Sequence, residues 1–139
     1  MRCLIPREPR RPKGAQLGGL DPVYLLCRAH NLPLPEAEQT FHPTRKWRAD
    51  YLWRATRNAG RGVILEVDGG VYRGGRGGGT AIGGHSSAAG ILRDMAKANA
   101  AQLCGYVYLR VTPDQVRHGG DVVDLLRQAF QLLTKGPTP

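Results

Sequence analysis

The stretch Val63-Ile64-Leu65-Glu66-Val67-Asp68-Gly69-Gly70 decides the fold, because an apolar run of strand type ends there in two carboxylates. Residues two apart on a strand share a face, so Glu66 and Asp68 lie together while Val67 points the other way, into packing. Burying an unpaired charge is costly, and two like charges on one face repel each other. A shared proton or a cation relieves this repulsion, and for carboxylate oxygens at neutral pH the expected cation is a divalent metal ion.

A third carboxylate is predicted to lie opposite this strand. The aromatic segment 47–53 predicts the preceding strand, and the segment 56–61 contains the Asn and Gly residues of a hairpin turn. If the hairpin centres on Asn58, Asp50 falls opposite Glu66. Their Cβ atoms would then lie roughly 4.5–5.5 Å apart, close enough to bind one ion. A bulge would shift this register by one residue.

The alternative for these acids is a solvated hairpin edge on which the carboxylates are incidental. The run Val63-Ile64-Leu65 argues against that alternative, because a strand with water on both faces does not carry three consecutive large apolar residues.

The charge balance indicates a partner with negative charge. The chain has 20 Lys plus Arg against 11 Asp plus Glu, a formal net charge of +9, which is typical of nucleic-acid binders. Between His42 and Arg61 the only acid is Asp50. A basic surface around an acidic metal cluster suits phosphodiester hydrolysis, whereas a membrane binder has no use for buried acids. The six cations of this segment are Arg45, Lys46, Arg48, Arg54, Arg57 and Arg61.

Length and cysteine content narrow the class of protein further. A chain of 139 residues predicts one domain. No apolar run approaches the roughly 18–20 residues that span a bilayer, and no signal peptide is recognisable, so we expect a cytoplasmic protein without a membrane partner. Cys3, Cys27 and Cys104 form no CxxC pair, so neither a zinc ribbon nor a disulfide framework is supported. We expect Cys27 and Cys104 to be small core residues.

The chain divides into three parts. Residues 1–19 have the composition of a flexible basic arm, residues 20–135 form the single domain, and residues 136–139 are a tail. Within the domain, Asp21 is predicted to cap a first helix that runs to His30. A first strand is expected from Glu38 to His42.

A glycine-rich segment runs from Gly69 to His85 and has no apolar period, so we expect it to be mobile or ordered by a partner. It is not a phosphate-binding loop, since no Gly-Lys-Ser/Thr follows, and no nucleotide cofactor is expected. A histidine in such a loop is usually just exposed. With Ser86 and Ser87, however, His85 is placed to contact a phosphate.

The second helix is predicted over Ala88 to Cys104, with Gly105 as its stop. At about 100° per residue, the stripe of large apolar residues carries Asn99 and Gln102, which are therefore expected to face the sheet, whereas Lys97 points away. A strand at 106–111 is predicted next, and Thr112-Pro113 ends it. A last helix, capped at Asp121, carries an apolar stripe to Leu133 that closes the core or a dimer. The stripe of the second helix consists of Ile91, Leu92, Met95 and Leu103.

Helix, three strands, helix, strand, helix is the order of the restriction-endonuclease-like core, an α/β (α+β) fold with a mixed sheet of about four strands flanked by helices. Three blocks resemble the PD-(D/E)xK nucleases, and within them the small phage and prophage VRR-NUC-like and Hjc-type Holliday junction resolvases. The blocks are Phe41-His42-Pro43-Thr44-Arg45-Lys46-Trp47-Arg48-Ala49-Asp50, then Glu66-Val67-Asp68-Gly69-Gly70, then Lys97-Ala98-Asn99-Ala100-Ala101-Gln102-Leu103-Cys104-Gly105-Tyr106.

The resemblance implies a metal site. It makes Asp50 the first metal-binding acid and Glu66 the second, with the backbone carbonyl of Val67 completing the shell. The chain departs from the motif at Asp68, where the family keeps a lysine that orients or deprotonates the attacking water. Asp68 is then expected to be a further ligand, directly or through water.

Three other residues are candidates by resemblance. Lys97 resembles a migrated motif lysine, and Gln102 with Tyr106 matches the QxxxY spacing of RecB-like relatives. The helical count favours Gln102 over Lys97 for facing the site. Glu38 resembles the upstream acid of some members, although the Hjc type carries that acid on its first helix, where this chain has none.

The activity expected from this resemblance is Mg²⁺-dependent hydrolysis of a DNA phosphodiester by in-line attack of water, with Mn²⁺ able to substitute. The substrate is expected to be branched DNA, above all a four-way junction, cut by a homodimer because the junction has two-fold symmetry. Two alternatives stay open: a nuclease of other specificity (nicking, flap or VRR-NUC type), and a non-catalytic nucleic-acid binder that uses the Arg-Gly-rich segment. Residues expected to contact DNA are Arg45, Lys46, Arg48, Arg54, Arg57, Arg73, Arg76, His85 and Ser86.

Overall fold

A computed structural model of the protein describes residues 21–55, 61–68 and 88–135. The predicted basic arm, the turn of the hairpin, the glycine-rich segment and the C-terminal tail lie outside the described residues. The elements are α1 (Pro22–Ala29), β1 (Glu36–Thr40), β2 (Arg48–Arg54), β3 (Gly62–Val67), α2 (Ala88–Leu103), β4 (Tyr106–Val111), α3 (Pro113–His118) and α4 (Gly120–Lys135).

The described strands form one mixed sheet in the order β1-β2-β3-β4. β1 pairs with β2 and β2 with β3 in antiparallel fashion, whereas β3 and β4 are parallel. The parallel pair requires a crossover, and α2 is the helix of that crossover. The predicted α+β architecture, a mixed sheet of four strands flanked by helices, is therefore confirmed. No helix within the described ranges is long and apolar enough to cross a membrane.

The register of the hairpin is the predicted one. The pairs run from Arg54↔Gly62 to Tyr51↔Leu65, which centres the hairpin on Asn58. One further step along the same ladder places Asp50 opposite Glu66. Gly62 begins β3 where the backbone of β2 comes very close, because a Cβ atom built there would lie 2.1 Å from the carbonyl oxygen of Trp53.

The strand β1 carries a backbone irregularity beside this register. Its pairs Ala37↔Tyr51 and Gln39↔Ala49 place Glu38 opposite Asp50. Glu38 has a φ of 54°, in the left-handed region that non-glycine residues rarely occupy. The strand also starts two residues earlier than predicted and ends at Thr40.

The helix α1 begins where the sequence predicts. The Asp21 carboxylate accepts the backbone N–H groups of Val23 (2.9 Å) and Tyr24 (3.1 Å), which otherwise have no partner in the first turn. Its second oxygen accepts the hydroxyl of Tyr51 at 2.7 Å. The same residue therefore starts α1 and fastens it to β2.

One face of the sheet packs against α1, α3 and α4 through large apolar side chains. Cys27 belongs to this core, as predicted, and burial together with the charge of Asp21 raises the pKa of its thiol to about 11. The buried members are Val23, Cys27, Trp53, Val63, Leu65, Val111, Val116, Val122, Leu126 and Ala129.

The other face packs against α2, and the predicted orientation of this helix is wrong. Gly90 and Ala101 are buried, whereas Asn99 and Gln102 are exposed. The large apolar residues point outward and are 50–89% exposed, because the sheet accepts the small residues that let the helix approach closely. These outward residues are Ile91, Leu92, Met95 and Leu103. The predicted stop holds, since Gly105 follows α2 with a φ of 89°.

A short helix, α3, was not predicted. Thr112 accepts the N–H of Gln115 at 3.2 Å, and the Gln115 side chain accepts the N–H of Thr112 at 2.9 Å. This reciprocal pair is a capping box, and Pro113 occupies the first helical position. The signal Thr-Pro-Asp-Gln is present in the sequence, so Thr112-Pro113 starts a helix as well as ending β4.

Candidate functional site

Two carboxylates meet where β2 and β3 run side by side. Asp50 and Glu66 are cross-strand neighbours, and the backbone N–H of Val67 donates to Asp50 Oδ2 at 2.9 Å. Val67 packs against the core on the opposite face, as predicted from strand alternation. Glu66 is only 9% exposed, and no other charged residue is buried among those that the structure describes. A carboxylate at that depth requires a cationic or hydrogen-bonding partner.

Lys97 supplies that partner. Its Nζ donates to Glu66 Oε1 at 2.8 Å, with the two side chains only 17% and 12% exposed. The expectation that Lys97 points away from the sheet is therefore wrong. Lys97 lies on the face of α2 that also carries Gly90 and Ala101, since positions 90, 97 and 101 follow the helical repeat.

Burial raises the pKa of Glu66, and two charged neighbours modify that effect. The hydrogen bond from Lys97 lowers the pKa, whereas the negative charge of Asp50 raises it. The balance is a raised pKa. A divalent cation between Asp50 and Glu66 would act in the same sense as Lys97, because positive charge stabilises the ionised form of both acids.

The register extends this pair into a row that crosses the whole sheet. Glu66 pairs with Arg110 in the parallel ladder. The neighbouring pairs of the antiparallel ladders put Asp50 level with Glu66, and Glu38 level with Asp50. Three acids and one cation therefore occupy consecutive strands at one level. The unusual φ of Glu38 falls at the outer end of this row.

Asp68 is held by a different partner. Arg110 donates to both of its carboxylate oxygens, from Nε at 2.8 Å and from a terminal nitrogen at 3.1 Å. Both side chains are nearly half exposed. The Asp68 backbone N–H also donates to the carbonyl of Val111 at 2.8 Å. The structure thus joins Asp68 to β4 and does not bring its carboxylate to Asp50 and Glu66.

Two residues beside the site were missed in the sequence. Asp94 lies one turn before Lys97 on α2. The pKa of Arg110 is raised chiefly by its hydrogen bonds to Asp68 and that of Tyr108 chiefly by burial, and the charge of Asp94 adds a smaller contribution to both. Tyr108 pairs with Ile64 in β4, and its pKa is raised first by burial and then by the charge of Glu66. The signal that finds Asp94 is its spacing from Lys97, because residues three apart on a helix share a face.

The site offers two kinds of donor to the predicted metal ion, carboxylate side chains and a backbone carbonyl. Asp50, Glu66 and the carbonyl of Val67 are oxygen donors, the chemistry that Mg²⁺ prefers. Within the described parts of the chain, no three His, Cys, Asp or Glu side chains lie close enough together to hold a metal ion. A metal ion at this position would therefore have two carboxylates and a backbone oxygen as protein ligands, and water would have to supply the rest.

The predicted glutamine-tyrosine pair is split between surface and core. Gln102 is exposed on α2, away from Glu66. Tyr106 is buried, and its ring packs edge-on against Phe41 with the ring centroids 5.9 Å apart. Lys97, rather than Gln102, is the α2 residue that reaches the carboxylates.

The predicted phosphate contacts fall into three groups. Arg45, Lys46 and Arg48 are exposed. Arg54 is partly engaged, since it lies 3.7 Å from the Glu36 carboxylate and donates to the carbonyl of Thr40 at 3.4 Å. The third group lies outside the described residues and comprises Arg57, Arg73, Arg76, His85 and Ser86.

Comparison of the chain with protein-family models, with curated proteins and with solved structures gave no match in any of the three.

Proposed function

We propose that this protein is a metal-dependent endonuclease that hydrolyses DNA phosphodiester bonds at branched structures, above all four-way junctions, through the PD-(D/E)xK type of site. The observation that carries the proposal is the ion pair of Lys97 with the buried Glu66, directly across from Asp50. Two acids on the inner strands of a mixed sheet, with a lysine from the covering helix, are the groups that such hydrolysis requires.

Asp50, Glu66 and the Val67 carbonyl would hold Mg²⁺, or Mn²⁺ in its place. The ion when bound supplies a Lewis acid that stabilises negative charge on the phosphate oxygens and lowers the pKa of water. The reaction type in this proposal comes from the resemblance to the nuclease family. The role given to each residue comes from its position in the structure.

Lys97 takes the role of the motif lysine in this proposal. Its ammonium group donates to Glu66 and lowers the pKa of this carboxyl, against the burial that raises it. Its remaining N–H groups are available to orient the attacking water and to neutralise charge on the phosphate. Asp68, which occupies the place of that lysine in sequence, instead fixes the end of β3 to β4 through Arg110.

The basic loop before Asp50 would hold the phosphate backbone. Arg48 lies two residues before Asp50 and shares its side of β2 by strand alternation. Contacts of this kind carry no sequence information, so binding would weaken strongly with salt and depend on DNA shape. Symmetric cuts at a junction need two active sites, which makes the homodimer part of the proposal.

The test is cleavage of labelled four-way, flap and linear duplex DNA, with and without Mg²⁺, by the wild type and by Asp50→Asn. We expect the variant to lose cleavage to background while binding is unchanged or tighter, because one negative charge facing the phosphates is gone. The matched control is Asp114→Asn, which removes an exposed acid paired only with Arg117 in α3.

Each outcome has a distinct meaning. Unchanged cleavage by Asp50→Asn would overturn the nuclease mechanism. Linear duplex cut as fast as the junction would retain the nuclease and overturn the preference for branched DNA. A protein that is monomeric both in solution and on the junction would overturn the homodimer.

A further inference from the structure

The loop between β1 and β2, residues 41–47, has a defined shape that the catalytic proposal does not use. His42 Nδ1 accepts the backbone N–H groups of Thr44 at 3.2 Å and Arg45 at 3.0 Å. The backbone N–H of Phe41 donates to the carbonyl of Trp47 at 3.4 Å and closes the loop. Phe41 itself is buried. These backbone hydrogen bonds and the buried Phe41 ring therefore fix the conformation of the loop.

The main side chain that it presents is Trp47. This ring is partly buried against the core beneath α2 and partly open to solvent. His42 meets it edge-on with the ring centroids 5.4 Å apart, and the Arg45 guanidinium lies over one face of the ring, 5.4 Å from its centroid. The other tryptophan, Trp53, is buried and donates its indole N–H to the carbonyl of Pro33 at 2.7 Å.

The cations around this ring have no acidic partners among the described residues. The ion pairs found there use Arg54, Lys97, Arg110 and Arg117 as cations. Arg45, Lys46 and Arg48 are exposed and take part in none of them. A partly exposed aromatic ring, accompanied by three cations that have no acidic partner within the described residues, is complementary to a ligand that carries both phosphates and flat bases.

We propose that Trp47, supported by His42 and Arg45, is a stacking platform for unpaired nucleotides of a DNA strand. Bases inside a duplex are stacked on one another and present only edges and phosphates, for which the cations alone would suffice. An unpaired base offers its flat face to an aromatic ring. The platform therefore selects DNA with melted or branched segments over continuous duplex.

The position of the platform connects it with the carboxylates. Trp47 is three residues before Asp50, and Arg48 lies between them on the same side of β2 as Asp50. Three residues of extended chain span at most about 10 Å, on the order of one to two nucleotides of an extended DNA strand. This inference deepens the proposed nuclease function and rests on it, because that function is the reason to expect a DNA strand beside Trp47. The binding itself is measured without cleavage.

The test uses the full chain in EDTA, so that no strand is cut. A single-stranded oligo(dT) and a duplex of equal length are titrated with wild type, Trp47→Phe and Trp47→Leu. Phe keeps a flat face and Leu keeps only apolar packing, so both variants preserve the contact with the core. Melting curves establish that each variant is folded.

We expect Trp47→Leu to weaken oligo(dT) binding about 5- to 150-fold, the range for losing one base-aromatic stack, and Trp47→Phe to keep most of the affinity. Duplex affinity should stay within about twofold for both variants, because only phosphate contacts are involved. Oligo(dT) should also quench the tryptophan fluorescence of the wild type more than the duplex does.

Equal losses on oligo(dT) and duplex in Trp47→Leu would overturn the platform, as would unchanged binding of both. Lys46→Ala is the matched control, since removing an exposed cation should weaken both ligands alike. These results are independent of the cleavage test. If Asp50→Asn still cleaves DNA, the nuclease proposal fails whether or not Trp47 stacks on bases.

Discussion

The helices that cover the two faces of the sheet differ in the size and charge of the residues that they contribute. The face under α1, α3 and α4 is filled by large apolar side chains such as Leu65 and Leu126. The face under α2 accepts Gly90 and Ala101 from the helix and carries the row of acids with Lys97. Large apolar residues of the sheet, such as Leu52 and Ile64, are buried on the second face as well. There, however, α2 contributes small residues, which leave room beside the sheet for charged groups.

The largest expected change in stability comes from a substitution in the core under α1, α3 and α4. Leu65 is fully buried, so Leu65→Ala should lower the free energy of unfolding by about 2–5 kcal/mol through lost burial and the cavity left behind. Leu92, which is 65% exposed, provides the control, and Leu92→Ala should change stability by less than about 0.5 kcal/mol. Urea denaturation followed by circular dichroism measures both. Similar losses in the two variants would contradict the assignment of these residues to core and surface.

The next largest change in stability is expected from removing the ion pair between Lys97 and Glu66 under α2. Lys97→Met leaves Glu66 buried without its cation. We expect a loss of about 2–3 kcal/mol at pH 8 in EDTA, less than the 3–5 kcal/mol of a fully buried pair because some water reaches both groups. The double variant Glu66→Gln with Lys97→Met should recover most of the loss, since no charge is then left unpaired.

The pH dependence of Lys97→Met follows from the direction of the shift. Lys97 lowers the pKa of Glu66, so its removal raises that pKa further. An acid whose folded pKa exceeds its unfolded value stabilises the fold at low pH, and this contribution is lost as pH rises through the folded pKa. The deficit of Lys97→Met relative to wild type should therefore shrink as pH falls from 8 towards 5. A deficit that does not change with pH, measured by thermal melts, would contradict the role of Glu66.

The parts of the fold that were predictable have local signals. The Asp21 cap, the Asn58-centred hairpin and the opposition of Asp50 and Glu66 follow from turn residues and strand alternation within about twenty residues. The pairing of Asp68 with Arg110 joins residues 42 positions apart and depends on the parallel ladder between β3 and β4. No local pattern reports that contact.

The orientation of α2 was not predictable from hydrophobicity. The stripe of large apolar residues predicted that Leu92 and Met95 face the sheet. Close packing of the helix on the sheet instead requires small residues, which are Gly90 and Ala101. Small residues carry little hydrophobic signal, so the stripe that faces the site is inconspicuous in the sequence. The same error turned Lys97 away from Glu66 and favoured Gln102 in its place.

A matched pair of variants on α2 sharpens this point. Ala101→Leu inserts bulk where the helix meets the sheet and should destabilise the protein by about 1–3 kcal/mol. Leu103→Ala removes a side chain that is 89% exposed and should be nearly neutral. Thermal melts of the two proteins measure the difference. The opposite ranking would restore the orientation expected from the apolar stripe.

The smallest expected effect concerns the outer end of the acid row. Glu38 occupies a left-handed backbone conformation that costs a non-glycine residue of order 1 kcal/mol, so Glu38→Gly should stabilise the protein by up to about 1 kcal/mol. Ala37→Gly, at a neighbouring position with no positive φ, should instead destabilise it by about 0.5–1 kcal/mol.

Cleavage by the same Glu38→Gly protein decides why a strained residue is kept in β1. If Glu38 contributes to the site across from Asp50, the variant gains stability and loses cleavage, and the strain is retained for function. If cleavage is unchanged, the acids that matter are confined to β2 and β3, and the row across the sheet ends at Asp50.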